Sequence, residues 1–450
     1  MDYLDSLSQF AAALDYRRLP PEVHEQVGWI LADTLAAMAA GSAEPELRAL
    51  AGRQAASESA SLIGLGRNGS CEAAAFINGS AGTFLEMDEG NRYSRGHPAV
   101  HAIPAAVALS QGRAADAPDF LAGLVVGYEV GSRLGAASQL RGSMHPHGTW
   151  GTIGAAAACA RIAQLEASAM RETINIAASL TTATSKRTML EGGLVRNTYA
   201  GLSNRNGLLA LDLAECGFTG ERDGPASLLG QIISEHFEPE AVVRDLGEDW
   251  HLMHNYFKMH SCCRYNHGTL DAIDQLAAIQ KLPQPDEIES IAVQTYHLAA
   301  ELDDPAPANT LAAKFSVPFA VATRIVHGTS ALSSFTWEAV RRPDVLALAQ
   351  KVSVSHDPSM SQRLPMERPA RVLLRLKDGR QLLAEAGVNR GDDASPYTRE
   401  ELRGKFMDLS ARIWPADHCR DLLEATLGLA QLQVPMGRWL GLVSRAPTAS

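Results

Sequence analysis

Residues 117–140 read APDFLAGLVVGYEVGSRLGAASQL, and the spacing of their glycines decides the fold. Gly127, Gly131 and Gly135 recur every four residues inside an apolar run that predicts a helix. Repeating the smallest residue at that interval leaves a flat stripe on one helix face, where a neighbouring backbone can approach closely. Ala73-Ala74-Ala75 and the run from Ala155 to Ala158 carry the same signal, so dense helix-on-helix packing is expected. Outward from this segment, residues 20–40 open on Pro20-Pro21 and place Val23, Val27, Ile30, Leu31, Leu35 and Met38 at helical spacing before stopping at Gly41. Similar runs fall at about 72–87, 100–112, 150–163, 168–183 and 205–217. Residues 1–255 are therefore read as a helical domain.

Beyond about residue 255 the texture changes. Segments 288–298, 350–355 and 370–386 alternate apolar and polar residues, and Lys377-Asp378-Gly379-Arg380 sits where a hairpin turn belongs. Residues 311–328 (LAAKFSVPFAVATRIVHG) read as a helix despite their proline, so residues 256–394 form an α+β insert. Helical texture returns over residues 395–450, most clearly from Asp417 to Leu432, and is read as rejoining the first domain. The fold class is mainly α.

A chain of 450 residues is about three times a typical domain length, enough for two cores. A net charge of −11 argues against a nucleic-acid partner, which needs clustered Lys and Arg. No stretch approaches the roughly 18 uninterrupted apolar residues of a membrane span. The N-terminus MDYLDSLSQF carries acids where a secretory signal carries bases, so a cytoplasmic location is expected. Six cysteines without metal-type or redox-type spacing suit a reducing compartment, and the adjacent Cys262-Cys263 read as two small buried hydrophobes.

Eight of the fourteen histidines lie in three short windows: His97 and His101; His145 and His147; His251, His254, His260 and His267. Imidazole suits acid and base work near neutral pH, and it also ligates metals. Against a metal, there is no HExxH and no ordered carboxylate spacing, and no CxxC cluster supports iron–sulfur chemistry. In the first window Asp88 and Glu89 leave a predicted helix and precede His97, the arrangement that orients a base. The third window brings Lys258, one of only seven lysines, together with Arg264 and His267 where helical texture gives way to strands. Domain junctions are where clefts form.

The runs NGSAGTFLEMDEGNRYSRGHPAVHAIPAAVAL, MHPHGTWGTIGAAAACARI, NGLLALDLAECGFTG and FKMHSCCRYNHGTLDAI, in that order, resemble successive signatures of the MmgE/PrpD family. That family includes 2-methylcitrate dehydratase, cis-aconitate decarboxylase and iminodisuccinate epimerase. The resemblance implies a large all-helical domain built from both ends of the chain, with a smaller inserted α+β lid domain. It also implies a homodimer, no metal and no organic cofactor, and a small anionic polycarboxylate as substrate. Carried over residue by residue, it implies Asp88, His97, His145 and Lys258 as catalytic residues, with Arg196, Tyr199, Cys263, Arg264 and His267 binding substrate. Arg196 and Tyr199 stand where many members have Lys and His.

The leading expectation is a lyase that dehydrates a hydroxylated di- or tricarboxylate such as 2-methylcitrate. His97 would move a proton at carbon, Asp88 would orient it or serve as a second acid–base group, and His145 would hold a carboxylate or protonate the leaving hydroxyl. Epimerisation of a dicarboxylate such as iminodisuccinate, with Tyr199 in a two-base pair, and decarboxylation of a cis-aconitate-like acid are the alternatives. A metal-dependent hydrolase and a non-catalytic dimeric binding protein are the competing classes.

Overall fold

In a computed structural model, which describes residues 2–448, helices dominate and two separate hydrophobic cores form. The glycine-striped segment is the helix Ala117–Ala136, started by Asp116, whose side chain accepts from the Asp119 amide. It packs on Trp150–Ile162 backbone to backbone: a Cβ on Gly127 would lie 2.9 Å from the Gly154 carbonyl, and one on Gly154 would lie 2.7 Å from the Gly127 carbonyl. No side chain fits at Gly127 or Gly154 in that crossing; Gly135 is hemmed in by Ser94 and Trp150 at 3.0 Å, whereas a Cβ on Gly131 would make ordinary contacts.

Cys71–Phe84, Pro98–Arg113 and Tyr199–Glu215 complete the surrounding bundle. Pro104 lies inside the second of these and leaves the Val100 carbonyl without its intrahelical donor. Asn204 repairs the gap, donating from Nδ2 to the Val100 carbonyl at 2.8 Å and accepting from the Ala105 amide at 2.9 Å. The buried helix therefore keeps its backbone groups satisfied.

The last helices, Arg399–Ser410, Ala416–Ala430 and Met436–Val443, return to Pro21–Gly41. Leu402, Phe406, Leu422, Leu429 and Trp439 share one core with Leu4, Ile30 and Leu35. The two ends of the chain thus close a single helical body.

The second core is built on a four-stranded sheet in the order Gln381–Ala386, Ala370–Leu376, Ile288–Thr295, Val352–His356. All pairings are antiparallel except the last, which is parallel. Gly379, at φ +88°, turns the hairpin between the first two strands where the sequence places it. Leu270 and Ile273 of His267–Ile279, and Phe319 and Val321 of Val317–His327, cover the sheet.

One expectation changes: residues 311–328 are two helices, Thr310–Lys314 and Val317–His327, rather than one. Ser316 starts the second by accepting from the Phe319 amide, and Pro318 occupies its first turn, where a missing N–H costs nothing. Among the described residues, no helix is long and apolar enough to cross a membrane. All six cysteines are free.

Candidate active site

The first and third windows are joined by a short antiparallel pairing of Gly90–Asn91 with Asn255–Tyr256. Gly90 is required there, because a Cβ would sit 2.4 Å from the Tyr256 hydroxyl. The second window is held by Thr184, whose hydroxyl donates to the His147 carbonyl at 2.6 Å, with the His145 carbonyl 3.0 Å away, and whose own carbonyl accepts from the His145 amide at 2.9 Å. Three stretches far apart in sequence thereby meet between the two cores.

At their meeting point lies a buried charge cluster. Lys258 Nζ stands 3.4 Å from Glu86 Oε2 and 3.7 Å from Asp88 Oδ1 and has no solvent exposure. Arg196 Nη1 closes the other side of Glu86 at 2.5 Å. Burial works against all these charges, but the opposite charges overcome it: Arg196 and Lys258 hold Glu86 low, and His97 and Lys258 hold Asp88 well below the usual carboxylate range. Lys258 is correspondingly held above its ordinary value by Glu86 and Asp88 despite burial. Glu86 adopts φ +55°, a left-handed backbone that a residue with a side chain enters at a cost of order 1–3 kcal/mol. Behind this loop, Lys405 donates to the Met87 carbonyl at 2.7 Å and pairs with Asp33 of Pro21–Gly41 at 2.5 Å.

Glu89 behaves oppositely to its neighbour Asp88. Its carboxyl accepts from the Ala99 amide (2.9 Å) at the start of Pro98–Arg113 and from the Tyr128 hydroxyl (3.1 Å). Burial pushes it up from 4.5 to about 8, against the Ala99 bond. A carboxyl raised in this way contributes stability that is fully present below pH 4.5 and is lost as the pH climbs toward 8. Glu89→Gln, which preserves the neutral shape, is expected to flatten the fall in thermal midpoint between about pH 5 and 8. Parallel wild-type and variant curves over that range would show that Glu89 is ionised when folded.

Two imidazoles face the cavity with opposite tautomers. His97 Nδ1–H donates to the Glu89 carbonyl at 2.6 Å, and Asp88 Oδ2 lies 2.9 Å from the same nitrogen. Both neighbours only accept, so Nδ1 carries the proton, and in the neutral ring Nε2 presents a lone pair. In His145, Nδ1 accepts from the His147 backbone amide at 3.0 Å. Arg196 Nε–H points at Nε2 from 3.3 Å, and a neutral imidazole accepts at one nitrogen only; the shorter His147 bond leaves the proton on Nε2, beside Arg196. Burial and Arg196 keep His145 neutral, far below its ordinary value. His147 stands between them, with its ring centre 5.0 Å from that of His97 and 4.7 Å from that of His145.

The cavity between the cores has a volume of about 430 Å³. Six cations line it (Arg95, Arg141, Lys186, Arg196, Arg264 and Arg368) against two carboxylates, Glu86 and Glu235. Such a wall favours a small polyanion.

Of the residues singled out in the sequence, His97, His145, Arg196, Cys263 and Arg264 line the cavity. Asp88 and Lys258 sit directly behind, against His97 and Glu86. Tyr199 is not on the wall: its ring packs edge-on to His145 at 5.7 Å, and its hydroxyl donates to Thr188 at 3.1 Å. His267 is buried beneath Arg264, with Nδ1 2.9 Å from that guanidinium. Both support cavity residues from outside it. The remaining histidines of the third window are tied up elsewhere, His254 to Asp249 and Asp393, and His260 to Ser330 and Asp271. Among the described residues, no group of three or more His, Cys, Asp or Glu side chains is arranged to hold a metal ion.

Sequence reasoning missed Glu86, although it lies two residues before Asp88 in the same loop and its single acid gave the only signal. Arg95, Arg141, Lys186, Tyr256 and Arg368 were missed as well. Arg95 and Tyr256 lie within the first and third windows but are neither acids nor imidazoles, Arg141 lies just ahead of the second, and Lys186 and Arg368 come alone from other segments.

Residues 5–227 match the MmgE/PrpD N-terminal domain, and residues 260–430 match the MmgE/PrpD C-terminal domain. Similar proteins include the cis-aconitate decarboxylase of Aspergillus terreus, 24% identical over 95% of this chain and 93% of that one. The cis-aconitate decarboxylase-like protein oryM of Aspergillus oryzae is 24% identical over 85% and 84%. The cis-aconitate decarboxylase of Mus musculus is 25% identical over 80% and 75%. With both domains matched in order on either side of the cavity, the chain belongs to the MmgE/PrpD family.

Proposed function

We propose that the protein is a lyase that eliminates water from a small hydroxylated di- or tricarboxylate by acid–base chemistry of its own side chains. The observation that carries this reading is the pair of cavity imidazoles, His97 oriented through Nδ1 with no partner on Nε2 among the described residues, and His145 with Nε2 beside Arg196. His97 Nε2 removes a proton from a carbon beside a carboxylate. The electron pair left behind forms the carbon–carbon double bond as the carbon–oxygen bond breaks, and His145 Nε2–H protonates the departing hydroxyl as water. Asp88 stabilises the imidazolium formed on His97, and the excess of guanidinium groups holds the carboxylates while charge develops.

A second reading, decarboxylation of a cis-aconitate-like acid, is favoured by the names of the relatives. It needs a proton donor at the carbanion left by carbon dioxide but no base, so it would use only half of the pair. Epimerisation needs two bases on opposite faces, and Tyr199, with its hydroxyl on Thr188, offers no support for the second. We also propose that the α+β unit serves as a lid, since Cys263, Arg264 and Arg368 face His97 and His145 across the cavity.

The test is incubation in deuterated water with methylcitrate, citrate, cis-aconitate and iminodisuccinate, followed by NMR. Alkene formation with water loss is expected for one hydroxy acid. Loss of carbon dioxide would establish the second reading, solvent exchange without net conversion would mark an epimerase, and inertness toward all four acids would overturn the proposal.

A further inference from the structure

Arg368 stands apart from the other cations of the cavity. It is 6% exposed and lines the cavity, yet it has no ion-pair partner among the described residues, and its Nη1 is enclosed without any hydrogen-bond acceptor. Arg264 and Arg196, buried to the same degree, are tied to Asp392 at 2.8 Å and to Glu86 at 2.5 Å. A buried charge without a counter-ion is expensive and is ordinarily paired or removed. A guanidinium kept in this state beside a cavity is a preformed half of an ion pair whose other half is the ligand.

Its position says which part of the ligand. The Arg368 guanidinium carbon lies 5.3 Å from the centre of the Tyr256 ring, and that ring centre is 6.2 Å from that of His97. Arg368 and the base thus pack on the same ring, and no hydrogen bond joins them. Tyr256 is itself fixed by the strand pairing with Gly90–Asn91, so the ring on which both groups pack is held by backbone.

Resting on the polycarboxylate reading above, we infer that Arg368 anchors the carboxylate remote from the reacting carbon and so selects acids carrying a second carboxylate. It is a specificity-determining residue: it grips substrate and transition state alike, so its loss raises KM and leaves kcat nearly unchanged.

The experiment compares wild type, Arg368→Gln and Arg368→Lys as full-length protein. Calorimetric titration with citrate, cis-aconitate and iminodisuccinate is combined with steady-state kinetics on whichever acid is turned over. Arg368→Gln is expected to weaken binding and raise KM about ten- to a hundred-fold, with kcat within about threefold of wild type and partial recovery in Arg368→Lys. Unchanged affinity in Arg368→Gln, or a lower kcat at constant KM, overturns the assignment alone. Displacement of the acids by equimolar inorganic phosphate does so too, because it would make the site indifferent to carboxylate geometry. Failure of wild type to bind any of the three acids overturns both this assignment and the polycarboxylate reading. A merely structural Arg368 would move the thermal midpoint and leave these affinities untouched.

Discussion

His97→Gln is expected to lower turnover of the acid that the protein converts by about 10³-fold, within the 10²–10⁴ range that a positioned acid–base group contributes. The substitution is chosen to spare the scaffold, since a glutamine amide can still donate toward the Glu89 carbonyl while offering no basic atom to the cavity. His97 is the cavity-facing group whose lone pair is directed by a bonded Nδ1–H, with an ionised Asp88 behind it to stabilise the proton it gains. Rates and circular dichroism should be measured on the same preparation. Turnover within tenfold of wild type, in a folded variant, would remove His97 from the chemistry.

Lys258→Met is expected to abolish activity and also to lower stability by about 3–5 kcal/mol, because removing one partner from a buried ion cluster leaves the others uncompensated. Glu86 and Asp88 are each 1% exposed, and Arg196 reaches only Glu86 at ion-pair distance. Asp88 would then face His97 alone. Urea unfolding gives the stability change. The double variant Lys258→Met/Asp88→Asn, which leaves the Arg196–Glu86 pair intact, should recover most of the lost stability and none of the activity. A single variant as stable as wild type would mean that water reaches the cluster and screens it.

The helical body was legible because its signals are local. The four-residue glycine repeat at 127, 131 and 135 states a backbone approach, and the approach to Gly154 is there. The alternation over 288–298 and 370–386 states a sheet, and both strands form. What failed was also physical. Phe315-Ser316 breaks a helix whose apolar periodicity runs on undisturbed, since the hydroxyl of Ser316 can start a new helix without changing the pattern of buried positions.

The site divides along the same line. Histidine windows and their carboxylate mark themselves by clustering, so Asp88, His97, His145 and Lys258 could be named from order along the chain. Arg95 and Arg141 lie beside the first two windows and Arg368 far from all three, and arginine is the chain's ordinary cation, so only the folded cavity reveals them together. Tyr199 illustrates the converse: its place in the chain suggests a substrate contact, whereas the fold uses its ring to back His145.

The bond from Lys405 to the Met87 carbonyl, shared with Asp33, carries a consequence for shortened forms of the protein. A loop in the first quarter of the chain is braced at its rear by a side chain 318 residues further on. That brace acts beside the bonds from Ser261 and Lys258 to the Leu85 and Glu86 carbonyls. A chain cut short before residue 405 would lose the rear brace of its reactive loop while keeping every residue that faces the cavity.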